Sequence, residues 1–248
     1  MEIKILQTLE GAKKSEGLVV VIDVFRAFTV ECFLYYYGAK RIYPMGDYNE
    51  CLKLREKNSD YFLVGERKGI KLDGFDCGNS PSQLYMLYDV KDKNILHSTS
   101  SGTQGIMAAL NNMNNKINPV TDIITGSLVN ANAIVKYIKK KNPKIVSLVA
   151  MGYAGLEPTD EDTLCAEYIK YLLESNDDLE NKDSFNIQEK MLNLKNTSGA
   201  KFFDLSKKAS FPLPDYFMCL MPNVFDFVLE IKMDEKVELY YSDMIKIF

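Results

Sequence analysis

The chain of 248 residues is short of several things, and each shortage removes a class of function. It carries a single histidine, His97, so a histidine-rich zinc site is excluded. Its cysteines (Cys32, Cys51, Cys77, Cys165 and Cys219) are odd in number and lie far apart. That argues against a disulfide framework and against a cysteine zinc site. Basic residues are in no excess: the net charge is −4, from 30 Lys and Arg against 34 Asp and Glu. Such a chain offers no basic footprint for nucleic acid. The one basic cluster, Lys139-Lys140-Lys141 with Lys144, ends a predicted helix and complements its dipole. No apolar run reaches the length of a membrane span. The first residues, Met1-Glu2-Ile3-Lys4, show no signal-peptide pattern, and a reducing cytoplasm is the expected compartment. No internal repeat or linker stands out. The expectation is one compact α/β unit over residues 1–248, with a subdivision near residue 175 as the alternative.

What is present is ordinary in bulk and specific in pattern. Hydrophobic residues make up 46% and charged residues 26%, as in a globular protein. Leu18-Val19-Val20-Val21-Ile22 is an unbroken run ending at Asp23, which suits a strand buried on both faces. Further strands are predicted over residues 2–7, 41–45, 61–64, 95–98, 121–125 and 145–150. Helices are predicted between them, near 24–37, 47–57, 81–88, 104–110, 129–140 and 158–174. Residues 175–186, acidic and rich in Asn and Ser, read as a loop. Residues 187–221 look helical but weakly patterned. Residues 225–231 and 237–241 flank Met233-Asp234-Glu235-Lys236 and read as a terminal hairpin. This alternation predicts a three-layer α/β/α sandwich with a mixed, mainly parallel sheet.

Five predicted strands end in polar residues before a turn or helix, and in a parallel sheet such ends share one edge, where ligands bind. The densest is Gly65 to Pro81, which holds Glu66, Arg67, Asp76, Asn79 and Ser80 among four glycines. It reads either as a ligand loop or as an exposed hairpin with a salt bridge. Asp23 closes its strand where an unpaired acid is costly, and Arg26 could pair with it or clamp an anion. The turn Thr99-Ser100-Ser101-Gly102-Thr103 suits an anion at a helix start, or is an ordinary cap. It lacks the Lys of a nucleotide-triphosphate loop. Gly126-Ser127 with Asn130 has the same two readings. Thr159-Asp160-Glu161-Asp162 is either a capping box in the first turn of a helix or a Mg²⁺ site. His97 and Cys165 read as structural residues.

Taken together, these segments resemble the 2-phosphosulfolactate phosphatase family. The resemblance rests on Val21-Ile22-Asp23-Val24-Phe25-Arg26-Ala27, Gly38-Ala39-Lys40, Gly65-Glu66-Arg67-Lys68-Gly69 and Gly74-Phe75-Asp76-Cys77-Gly78-Asn79-Ser80-Pro81. It continues through Thr99 to Thr103, Gly126-Ser127-Leu128-Val129-Asn130-Ala131 and Glu161-Asp162-Thr163-Leu164-Cys165-Ala166. These run in order across residues 18–170, and the C-terminal third matches loosely. Ser101 stands where the family pattern Thr-Thr-Asn-Gly-Thr has Asn, and its side chain reaches less far.

The resemblance implies a Mg²⁺-dependent enzyme that hydrolyses (R)-2-phospho-3-sulfolactate to (R)-3-sulfolactate and phosphate, in sulfolactate and coenzyme M biosynthesis. The expected catalytic residues are Asp23, Arg26, Glu66, Arg67 and Asp76. The substrate binders are Asn79, Ser80, Thr99, Ser100, Ser101, Gly102, Thr103, Ser127 and Asn130. Asp160, Glu161 and Asp162 are the metal candidates. Attack by a metal-activated water is favoured over a phosphorylated Asp23, because the Asp-x-Asp pattern of many aspartate-based phosphatases is absent. The alternative function is a non-catalytic sensor of a phosphorylated or sulfonated metabolite. A homodimer through Tyr35, Tyr36 and Tyr37 is a further expectation.

Overall fold

The computed structural model describes residues 1–117, 119–175 and 185–247. The acidic loop expected over 175–186 lies largely outside the described residues. Among them, the strands form one ten-stranded mixed sheet. Strand β1 (Glu2–Gln7) is at one edge, paired in parallel with β8 (Ile145–Ala150). Next come β2 (Gly17–Ile22) and β7 (Val120–Gly126), all parallel. A second parallel block holds β3 (Arg41–Pro44), β6 (Asn94–Ser98) and β4 (Tyr61–Arg67), and the short β5 (Ile70–Lys71) folds back on β4. The C-terminal hairpin, β9 (Phe227–Asp234) with β10 (Leu239–Lys246), makes the sheet mixed, as expected, and sits at its centre between the two blocks.

The β-branched run of β2 explains the layering. Leu18, Val20 and Ile22 pack with helices α6 (Ala131–Lys141) and α7 (Asp160–Glu174). Val19 and Val21 turn to the other face, against α5 (Gly102–Leu110) and α1 (Thr8–Ala12), a short helix that periodicity does not reveal. The second block repeats the plan. Ile42, Val64 and Ile95 meet α2 (Ala27–Tyr36) and α4 (Pro81–Leu87), while Tyr43, Leu63 and Leu96 lie with α3 (Tyr48–Lys57). Helix α2 is buried from Ala27 to Leu34, Glu31 included. Residues 187–221 supply α8 (Ile187–Asn193) and α9 (Leu213–Cys219) among shorter turns. Cys165 is in the core, and burial pushes its thiol well up. No described helix is long and apolar enough to cross a membrane.

One expectation about edges needs correction. Strand β7 is antiparallel to β9, and β10 is antiparallel to β3, so the two parallel blocks run in opposite directions. In a flat sheet their C-terminal ends would point to opposite edges. They meet nonetheless. Strand twist of roughly 20–25° per neighbour accumulates across the sheet, and α5 leaves β6 of one block to pack on β2 of the other. Gly102 makes that crossing possible: a Cβ there would stand 2.9 Å from Ala27 Cβ and Phe28 Cζ.

Candidate active site

The meeting point is a cleft. Its walls come from the β2 end (Asp23, Phe25, Arg26), the β4 end (Glu66, Lys68, Gly69), Asn79, the β6–α5 turn (Ser100, Ser101), and the β8–α7 segment (Gly152, Tyr153, Ala154, Thr159, Glu161, Asp162). Lys201 and Phe211 close it from the C-terminal third. Strand β4 is longer than its apolar run suggests, because Glu66 and Arg67 pair back with Lys71 and Ile70. The tight turn between them needs Gly69, with φ of +81° and Phe211 so near that a Cβ would lie 2.1 Å from its ring.

One wall is acidic. Asp23 is buried and accepts hydrogen bonds from Ala27 N at 3.1 Å and Gly102 N at 2.9 Å. Burial pushes its pKa up to about 6, with Glu66 and Glu161 adding to the rise and the two N–H groups opposing it. Asp162 is not the capping residue of α7: it accepts from Val24 N at 2.7 Å and Gly152 N at 2.8 Å, and so ties the helix to two strand ends. Its carboxyl is held well above the usual range by burial, then by Glu161 and Asp23. Thr159 makes no side-chain cap bond, and its buried hydroxyl has no partner among the described residues. Glu161 is 3% exposed, yet its Oε2 has no hydrogen-bond partner among the described residues. A buried carboxylate oxygen without a donor is costly.

Three cations share the cleft with these acids. Arg26, which follows a cis peptide bond from Phe25, does not pair with Asp23. Its guanidinium donates to Asp215 at 2.8 Å and lies 4.9 Å from the Phe211 ring centroid. Lys201 sits 5.5–5.7 Å from the rings of Phe25, Phe202 and Phe211. Lys68 is exposed at the rim. Among the described residues, neither lysine has a carboxylate partner. Asp215, fully buried, gathers Arg26, Ser80 Oγ at 2.9 Å, Ser82 N at 3.0 Å and Ser82 Oγ at 2.6 Å.

The Thr99–Thr103 turn has many donors, but the protein's own acceptors take them. Thr99 N donates to Thr103 Oγ1 and Thr103 N to Thr99 Oγ1, at 3.0 and 3.2 Å. Ser100 N and Oγ donate to Glu66, at 2.7 and 3.1 Å. Ser101 Oγ donates to Gly152 O at 2.8 Å, and Gly102 N goes to Asp23. The turn therefore orients two carboxylates.

Several candidates lie outside the cleft lining. Arg67 donates to Glu66 O, Gly46 O and Ser98 Oγ and stacks 5.2 Å from the Tyr48 ring. Asp76 pairs with Arg55 at 2.6 Å and accepts from Leu63 N, so it pins β4 to α3. Ser127 and Asn130 form a capping box, with the Thr29 hydroxyl at 2.7 Å from Ser127 Oγ. Ser80 caps α4 and touches Asp215. Asp160 is exposed at the α7 N-terminus, where its charge suits the dipole. Asn79 stays in the lining, and His97 lies behind it at 3.2 Å. Sequence reasoning missed Lys68, Lys201, Phe211 and Asp215. The last three fall in the weakly patterned segment and carry no local signal. Lys68 adjoins Glu66 and Arg67 and was within reach.

Among the described residues, no three His, Cys, Asp or Glu side chains are arranged to hold an ion by themselves. Mg²⁺ asks for less, because it usually takes one or two carboxylates beside substrate phosphate and water. The orphaned Glu161 Oε2 and the crowded acids around it fit that requirement.

Three cations lining one cleft suit a phosphate ester, and comparison with known proteins points to the same class of substrate. The family model described as 2-phosphosulpholactate phosphatase matches residues 4–232. A protein of Bacillus subtilis (strain 168) described as a probable 2-phosphosulfolactate phosphatase is 32% identical over 240 residues, covering 96% of both chains. Proteins of the same description from Carboxydothermus hydrogenoformans and Clostridium perfringens (strain SM101) are 38% and 30% identical. The former alignment covers 59% of this chain and 57% of the relative, and the latter 88% and 87%. The match spans both strand blocks and the segment that carries Lys201 and Asp215, and on that span the chain belongs to the 2-phosphosulpholactate phosphatase family.

Proposed function

We propose that the chain hydrolyses (R)-2-phospho-3-sulfolactate to (R)-3-sulfolactate and phosphate with Mg²⁺, as a step of sulfolactate and coenzyme M biosynthesis. The observation that carries this reading is that Glu161, whose buried Oε2 has no partner among the described residues, lines one cleft with three cations. The substrate holds a phosphate, a carboxylate and a sulfonate. Arg26, Lys201 and Lys68 supply the positive charge for such a molecule. Arg26 is pre-set by Asp215 and by aromatic rings, so little side-chain freedom is lost when it binds.

Glu161 would hold the metal, with Asp23 beside it. When bound, Mg²⁺ neutralises phosphoryl charge and makes a water more acidic. Asp23, ionised with the ion beside it, would take a proton from the attacking water. Asp162 keeps the β2 and β8 ends in register through its two backbone bonds. Phe25 and Phe211 shield the reacting centre from bulk water. Direct attack by water is the leading scheme, and recovery of a phosphorylated Asp23 after rapid quench would replace it. The same proposal includes a homodimer through Tyr35, Tyr36 and Tyr37, of which Tyr36 is exposed and the other two are half-buried, and sedimentation of the purified chain checks it.

The deciding experiment is phosphate release from 2-phospho-3-sulfolactate, with and without Mg²⁺, beside phospholactate and p-nitrophenyl phosphate. Fast, metal-dependent release selective for the sulfonate is expected. Equal release from all three would keep the phosphatase and discard the named substrate. Binding without release from any would leave a receptor.

A further inference from the structure

Behind the cleft lies a polar chain that the reaction scheme does not use. Glu31 is fully buried in the middle of α2, where an acid has no packing reason to be. Its Oε1 is 2.9 Å from His97 Nδ1, and its Oε2 accepts from Ser242 Oγ at 2.9 Å. His97 is also fully buried, on β6, flanked in register by Pro44 of β3 and Val64 of β4. Its Nε2 is 3.2 Å from Asn79 Oδ1. Asn79 is 5% exposed, and it lines both the cleft and a second cavity that shares Arg26 and Gly69. Among the described residues, Asn79 Nδ2 has no hydrogen-bond partner.

A side-chain amide has two faces, an acceptor oxygen and a donor nitrogen, and only its partners decide which way it points. His97 meets an oxygen at each ring nitrogen. The Glu31 carboxylate is an acceptor at Nδ1 whichever way the amide points, and a ring that carries a proton on Nε2 as well meets an amide oxygen there. Glu31 supplies its counter-charge, and among the described residues no Lys or Arg competes for that carboxylate. With the ring so charged, Asn79 Oδ1 is held inward and its N–H groups are left for the cleft. With a neutral ring donating to Glu31, the amide would turn over and show an oxygen to an anionic substrate.

We infer that Glu31 and His97 are positioning residues that fix the Asn79 amide with its N–H groups facing the substrate's anionic oxygens, beside Arg26. This rests on the reading of the cleft as a site for an anionic ester. It gives the lone histidine a task away from both metal binding and proton transfer.

Because His97 is the only histidine, ¹⁵N-imidazole labelling of the full chain reports one ring. Near pH 7 the wild-type ring is expected to show two protonated nitrogens, and Glu31→Gln is expected to leave only Nδ1 protonated. A neutral ring in the wild type overturns the proposal, whatever the activity. The kinetic test is a cycle. Asn79→Ala and Glu31→Gln should each raise KM by about tenfold, the order of one charge-assisted contact. The double variant should be no worse than Asn79→Ala alone, since Glu31 acts through Asn79. Additive losses would mean that Glu31 only supports the fold. Asn79→Asp leaves Glu31 in place: it keeps an acceptor for the ring, turns an oxygen to the cleft, and should raise KM more than Asn79→Ala. An equal or smaller rise overturns the proposal. If wild-type turnover is absent, the substrate reading has failed separately, and the same cycle is read on inorganic phosphate affinity by calorimetry.

Discussion

Two buried carboxylates, Glu161 in the cleft lining and Asp215 behind the cleft's arginine, differ in one respect. Asp215 is fully enclosed and takes hydrogen bonds from Arg26, Ser80 and Ser82. Glu161 is almost as deeply buried, yet one of its oxygens has no partner among the described residues. A satisfied buried acid belongs to the frame: it sets where Arg26 stands. An unsatisfied one costs free energy in the protein alone, and it is retained where something else supplies the partner. Burial alone does not separate a frame residue from a reacting one; the unmade hydrogen bond does.

The largest effect should come from removing the unsatisfied member. Glu161→Gln is expected to lower turnover by about a thousandfold, the upper range for losing one charge-stabilising group, with the melting temperature unchanged or raised. A clear fall in melting temperature with ordinary turnover would make Glu161 a frame residue and end the contrast. Asp215→Asn should show the reverse balance. Breaking a buried pair from one side costs about 3 kcal/mol or more, visible as a lower denaturation midpoint, and KM should rise as Arg26 loosens. A stable variant with normal KM would remove Asp215 from the frame.

Titration sharpens the same contrast. The pKa of Asp23 is near 6 in the folded chain, against 3.8 for the free group. As pH rises through that interval, the unfolded chain gives up the proton first, so metal-free stability should fall from about pH 4 to pH 6. Asp23→Asn should reduce that slope, leaving the part due to Asp162, which is also held above the usual range, and Mg²⁺ should raise the melting temperature more at pH 8 than at pH 5. A metal effect independent of pH would detach Asp23 from the ion. The smallest effect is expected outside the cleft. Ser127→Ala, which removes half of a capping box, should cost about 1 kcal/mol and leave KM alone; a raised KM would bring Ser127 back to the substrate.

Much of the architecture could be read from the chain. Apolar runs such as Leu18 to Ile22 declare buried strands, and the polar residues after β2, β4, β6 and β8 line the cleft, whereas Ser127 after β7 does not. What was not legible is which polar groups satisfy one another. Asp162 bonds Val24 across 138 positions, and Arg26 bonds Asp215 across 189. Local rules assign Asp162 to a helix cap and Arg26 to Asp23, because those partners are near in sequence. The Thr99–Thr103 turn likewise reads as an anion site, and only the fold reveals that the anions it holds are Asp23 and Glu66. The opposed direction of the two blocks was hidden for the same reason: it depends on where the last hairpin inserts.

That hairpin has a consequence for the order of assembly. The strands on either side of it are complete by residue 150, but β9 and β10, which join them into one sheet, begin only at residue 227. On the ribosome, both half-sheets can emerge and collapse before the segment that links them has been made. Contacts of such long sequence separation form slowly. Arg26 and Asp23 would therefore spend that interval without Asp215 or a closed cleft, and catalytic competence would be the last property the chain acquires. Pulsed hydrogen exchange during refolding reads this directly: amides of β2 and β8 should gain protection before those of β9 and β10, and simultaneous protection would show that the sheet closes as one unit.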